Sequence, residues 1–181
     1  MEANEAQELQ EHAEHGAHES SMRPIAFTMS VLAVLVAVAS VLGHRAHTEA
    51  ILDQNKATDQ WNEYQAKKIR AYNTQLASDL LKVVQLADKN GADKIAEDYK
   101  THRDKWADEL KEEQEKAETL SNKVEQAEAR GDRFDLSETL LEIGLVITSV
   151  TLLTKRRTYW YAGLAAAAAG IIAAASVLIL K

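Results

Sequence analysis

Three stretches of the chain are apolar almost without interruption, and a long polar stretch lies between the first and the second. From Pro24 to Gly43 the twenty residues PIAFTMSVLAVLVAVASVLG carry no charge. That is the length an α-helix needs to cross roughly 30 Å of hydrocarbon. The run YWYAGLAAAAAGIIAAASVLIL, from Tyr159 to Leu180, is equally uncharged and opens on aromatic rings just after Lys155, Arg156 and Arg157. Long cations and amphipathic rings settle at the headgroup level of a bilayer. The third run, Leu136 to Thr154, is apolar apart from Glu138 and Glu142. The pattern predicts transmembrane helices at 24–43, 136–154 and 159–180.

The polar stretch 44–133 predicts an antiparallel helical hairpin. Between Arg45 and Lys89 there is no Gly or Pro, and Trp61, Tyr64, Ile69, Tyr72, Leu76, Leu80, Val83 and Ala87 recur mostly every three or four residues. Only Gly43 stands between this helix and the first apolar run, so one uninterrupted helix of about 100 Å is expected. The KNGA sequence at 89–92 offers a turn near 90–91, and Asp93 could cap a return helix. That helix would carry Ile95, Tyr99, His102, Trp106, Leu110, Glu113, Ala117, Leu120, Val124 and Ala127 at coiled-coil spacing. Folding at 90–91 sets Leu86 beside Ile95, Val83 beside Tyr99, Leu76 near Trp106 and Tyr72 near Leu110, an apolar seam along the hairpin. The fold class expected is an all-α membrane protein: three transmembrane helices, with a long antiparallel coiled-coil hairpin between the first and second.

Averages conceal this division. A mean hydropathy of −0.31 and a net charge of −7 describe an ordinary acidic soluble domain. Yet 16 of the 21 basic and 19 of the 28 acidic residues lie between His44 and Arg133. Mixed charge of that kind is a solvated surface rather than a nucleic-acid footprint, so no nucleic-acid partner is expected. The lipid bilayer is the first partner implied. With no cysteine there is no disulfide, thiolate metal site or cysteine nucleophile. The chain contains no GxGxxG, GxxxxGK[ST], GxSxG or HExxH, and no Glu-x-x-His pair for a di-iron bundle. Neither catalysis nor a cofactor, metal or small-molecule substrate is therefore expected. The leader 1–23 has six Glu and a single Arg, unlike the basic start of a signal peptide. Its pairs Glu8–His12, Glu11–His15 and Glu14–His18 would meet if it were helical, which leaves weak metal binding open beside a solvated leader.

Two intramembrane features are candidates for function. Asp135 could cap the second span with Glu138 at its third position, which would account for Glu138. Glu142 lies one turn deeper and would need a protein partner or water, either as a hydrogen-bonding contact between helices or on a proton or cation path. In the last span Gly163, Ala166, Gly170 and Ala174 approximate a small-x3-small face that lets helices approach closely. The short KRR connection favours a cytoplasmic position for residues 155–157, hence a cytoplasmic amino terminus and a hairpin on the outside, periplasmic in a Gram-negative cell.

The acidic leader, the RPIAF opening of the first span, NKATDQWNEYQAKKIR, and TLLEIGLVITSVTLLTKRR before an Ala/Gly-rich final span together resemble the bacterial domain of unknown function 4337 family. That resemblance implies a small inner-membrane protein and supplies no catalytic residues. Two functions fit the sequence. One is a non-enzymatic membrane scaffold or accessory subunit, a homo-oligomer or part of a larger membrane complex, with its rod as interaction surface. The other is an oligomeric channel or transporter component using Glu142.

Overall fold

A computed structural model of the chain describes residues 22–83 and 89–179. The side chains of Lys82 and Lys89 fall outside that description, as do the Glu/His pairs of the leader and Leu86. The described residues form three helices, α1 (Arg23–Val83), α2 (Lys89–Thr154) and α3 (Arg157–Ser176), and end in a 3-10 turn at Val177–Ile179. Each of the three is long and apolar enough over part of its length to cross a membrane.

Helices persist where the sequence predicted breaks. α1 passes through Gly43 as expected, and α2 runs unbroken through Gly131 and Asp135. Asp135 therefore does not cap a helix. Asn90, Gly91 and Asp93 are also helical, so the expected turn does not lie at 90–91. Glycine inside a helix costs about 1 kcal/mol relative to alanine. At 43 and 131 that cost is offset by close packing, since each glycine is buried against a side chain of the other helix.

The chain divides into two compact units: residues 22–49 with 126–179, and residues 50–125. In the first unit the core consists of Met29, Leu32, Val36 and Ala39 from α1, Leu141 and Leu145 from α2, and Ala167 from α3. The buried positions of α1 recur in alternating steps of four and three, at Ile25, Met29, Leu32, Val36, Ala39, Gly43 and Ala46. One flank of α1 is left outward with Phe27, Val34, Val38 and Val41 exposed. At one end of this unit the Trp160 indole N–H donates to the Thr28 hydroxyl at 3.3 Å. At the other end His47 pairs with Asp135 at 2.9 Å and Arg130 with Glu49 at 3.1 Å.

In the second unit α1 and α2 run past each other in opposite senses. The Trp61 indole N–H donates to Ser121, Lys67 pairs with Glu113, and Arg103 donates to Gln75. Each contact falls within three residues of the register that folding at 90–91 predicts. The residues that face inward on α2 match expectation: Tyr99, Trp106, Leu110, Glu113, Ala117, Leu120 and Val124 are buried or half-buried. On α1 they do not. Tyr72, Leu76 and Val83 are 65%, 60% and 82% exposed, with Ile69 and Leu80 beside them. Besides Trp61 and Tyr64, the inward positions are Ala57, Lys67, Ala71, Thr74, Ser78 and Leu81. His102, expected on the seam, is exposed and stacks on Trp106 with ring centroids 5.5 Å apart, while Arg103 takes the inward place.

Candidate functional site

The apolar part of α2 holds the two carboxylates that the sequence singles out. Glu138 and Glu142 are half-buried, one turn apart on one flank of the helix. Neither makes a hydrogen bond or ion pair with another described residue. The interior of the unit is formed without them, by the apolar core and by one face of α2 carrying Ser137, Gly144, Thr148 and Thr151, all buried. Thr148 donates to the Gly144 carbonyl at 2.7 Å, which satisfies its hydroxyl inside its own helix. The hydroxyls of Ser137 and Thr151 are buried without a partner among the described residues.

The small-residue face of the last span exists, but it is rotated and already occupied. The buried positions of α3 are Gly163, Ala167, Gly170 and Ala173, whereas Ala166 and Ala174 are only half-buried. Their neighbour is α2 of the same chain. A Cβ at Gly163 would lie 2.7 Å from the Gly144 carbonyl oxygen, and one at Gly144 would lie 2.8 Å from the Gly163 carbonyl oxygen. Two glycines thus meet backbone to backbone. A Cβ at Gly170 would sit 3.0 Å from the Ser137 carbonyl oxygen. The face lets α3 dock on α2, and the sequence pattern had left Gly144 out because it looked only along the last span.

The charged centre of the second unit is Glu113, whose side chain is only 11% exposed. Lys67 reaches it at 2.8 Å and also reaches Glu63 at 3.1 Å, while the Gln60 amide donates to the second Glu113 oxygen. Lys67 is held above the ordinary lysine value, first by the hydrogen bond to Glu113 and next by that to Glu63. Glu113 is held below the ordinary carboxylate value by Lys67, against a desolvation that pushes the other way. Lys116 is raised chiefly by its bond to Glu112. Both members of the central pair stay charged through the neutral range, which suits a structural ion pair and not a proton donor or acceptor. The sequence placed Glu113 on the seam; Lys67, on the opposite helix with no apolar character, gave no signal.

Beside this centre lies a groove of about 420 Å³ lined by Gln60, Glu112, Glu115, Lys116, Thr119 and Leu120. Within it Lys116 pairs with Glu112 at 2.8 Å. In the first unit His47 and Asp135 could offer two ligands to a metal, but among the described residues no group of three His, Asp or Glu is placed to hold one. The expected seam residues Tyr99, Trp106 and Leu110 are brought to the helix–helix contact, and Tyr72, Leu76 and Val83 are not.

No curated protein and no solved structure matches the chain. A family model does, over residues 21–180, and it covers both units and all three helices. The chain belongs to the family described as Domain of unknown function (DUF4337).

Proposed function

We propose that the protein is a non-enzymatic membrane scaffold or accessory subunit of a bacterial inner membrane, anchored by three spans and using its helical hairpin as an antiparallel coiled-coil interaction surface. The carrying observation is how the first unit spends its side chains. Its interior is closed by Gly144 against Gly163 and by Met29, Leu32, Val36, Leu141 and Leu145, while Glu138 and Glu142 stand aside on a flank. Such an interior suits an anchor better than a polar conduit through one chain. An unpaired carboxylate in hydrocarbon costs a few kcal/mol on insertion scales, so Glu142 is best satisfied by a group from outside the chain, which an assembled protein supplies. The positive-inside rule applied to the short KRR connection favours residues 155–157 in the cytoplasm and the hairpin outside, periplasmic in a Gram-negative cell.

The rival reading, a conducting oligomer with Glu142 lining a path between chains, is tested alongside. Purified protein in detergent should have a mass above one chain, or carry a stoichiometric partner, and Glu142→Gln should keep that assembly because an amide still hydrogen-bonds. Reconstituted vesicles should pass protons and cations no faster than protein-free vesicles. A flux that Glu142→Gln abolishes would replace the scaffold with a transporter. A monomer without partner would refute assembly altogether.

A further inference from the structure

The second unit hides its small residues and shows its large ones. Along residues 66–83 of α1 the side facing α2 carries Lys67, Ala71, Thr74, Ser78 and Leu81, and the opposite side carries Ile69, Tyr72, Leu76, Leu80 and Val83, all exposed. The opposite side of α2 is built otherwise: Glu97, Asp98, Thr101, Asp104, Lys105, Asp108, Lys111 and Glu112 occupy it. Water suits the second face. It does not suit five large apolar side chains in a row, which mark a site of association.

Two properties of the stripe identify its cover. Ile69, Leu76 and Val83 are spaced by seven residues, with Tyr72 and Leu80 between them, which is the spacing that keeps one helix in contact with another over two heptads. The stripe also matches itself, since in two copies whose α1 helices run in the same sense each of its members faces its own counterpart. A two-fold axis along the paired helices therefore sets apolar on apolar along the whole length, the self-matching that an isologous interface requires. Within residues 50–125 the only other exposed large apolar side chains among the described residues are Ile51, Leu52 and Ile95, and the outer face of α2 is charged. The surface of this unit that complements the stripe is the stripe itself.

We infer that residues 69–83 of α1 form a homodimer interface with the same stripe of a second copy of this chain, Leu76 meeting Leu76. The inference rests on the scaffold reading and names its partner. Copies inserted into one bilayer in one sense carry α1 in the same direction, so Ile69 also meets Ile69 and Val83 meets Val83.

The chain has no cysteine, so a single introduced cysteine can form a disulfide only with another molecule. In membranes carrying the full chain, mild oxidation of Leu76→Cys, and separately of Ile69→Cys, should yield a band of twice the 20.0 kDa chain mass. Asp108→Cys, on the charged face, should not. Leu76→Glu should leave the helical circular dichroism unchanged, because the residue is 60% exposed on the side away from α2, and should lower the detergent-corrected mass to half. Self-crosslinking of Leu76→Cys without Ile69→Cys would overturn the same-sense alignment. Absence of a Leu76→Cys dimer, adducts only to a different protein, or a mass untouched by Leu76→Glu would overturn the homodimer. In those cases a wild-type mass above one chain leaves the scaffold reading standing, whereas a partner-free wild-type monomer removes both.

Discussion

The two units solve helix packing with opposite materials. In the first, α3 meets α2 glycine against glycine at Gly144 and Gly163, beside an apolar core of Met29, Leu32, Val36, Leu141 and Leu145, while Phe27, Val34, Val38, Ile171 and Ile172 point outward. In the second, helices of mixed charge meet over alanines, the Trp61–Ser121 bond and the Lys67–Glu113–Gln60 cluster. In a bilayer, the setting proposed for the first unit, apolar attraction cannot hold helices together, and the backbone proximity of Gly144 and Gly163 supplies the α2–α3 contact instead. Water lets the second use an ion pair, which suits a single register better than a sliding apolar stripe does. Close backbones and specific charges are thus two answers to the same problem of register.

The comparison is broken most severely by bulk at a backbone crossing. Gly163→Leu should destabilise the protein by about 3 kcal/mol, the upper part of the usual range for overpacking, since its Cβ meets the Gly144 carbonyl and neither main chain can move alone. Ala165→Leu, exposed on the same helix, should be near neutral. Thermal melts of both variants in one detergent decide the matter. Equal melting points would mean that α3 is not held by this crossing.

A smaller effect separates the units by pH. Glu113 is depressed below the ordinary carboxylate value of 4.5, so its stabilisation is complete above that value and fades as pH falls through the lowered one. Lys67 is raised above 10.5, so its share is complete below that value and fades as pH rises through the higher one. The difference in melting temperature between wild type and Glu113→Gln should therefore be greatest between those limits and shrink toward both. A difference constant with pH would show that charge at Glu113 contributes nothing.

The connection between α2 and α3 offers a gain. Lys155 has φ 55°, in the left-handed region where a Cβ crowds the following carbonyl. Lys155→Gly should stabilise by about 0.5–1 kcal/mol, the relief of strain less the extra freedom of the unfolded chain. Lys155→Ala keeps the Cβ and loses the charge, so it should show no such gain. That a lysine stands where glycine is easier fits selection for charge in the KRR segment.

Much of this architecture was legible, and the misreadings share a cause. The length of α1, the opposite senses of α1 and α2, their register, and the inward residues of α2 from Tyr99 to Val124 follow from periodicity. On α1 the largest apolar residues were mistaken for the seam, because hydropathy rewards Ile69 and Leu76 over Ala71 and Thr74. Closely packed helices reward small side chains, and the seven-residue spacing of Ala57, Tyr64, Ala71 and Ser78 was present but faint. In the last span the small residues were so dense that Ala166 and Ala174 could not be told from Ala167 and Ala173 without the partner helix. Gly131 and Asp135 read as a helix break because their real counterpart, His47, lies 84 and 88 positions away.

That last group supplies the smallest prediction and the sharpest contrast with Gly163. A Cβ at Gly131 would lie 2.6–3.0 Å from ring atoms of His47, the end of a side chain that can swing, and not from main chain. Displacing the ring costs the 2.9 Å pair with Asp135, an exposed interaction of up to about 1 kcal/mol. Alanine in place of glycine returns about 1 kcal/mol in a helix interior. The two nearly cancel, so Gly131→Ala should shift stability by less than about 0.5 kcal/mol. In a His47→Ala background only the helical gain remains, and Gly131→Ala should then stabilise by close to 1 kcal/mol. Thermal melts of the four proteins of this cycle measure the coupling directly. If Gly131→Ala destabilises equally with and without the imidazole, the glycine is required by the backbone, and the contrast between a side-chain contact at Gly131 and a main-chain crossing at Gly163 fails.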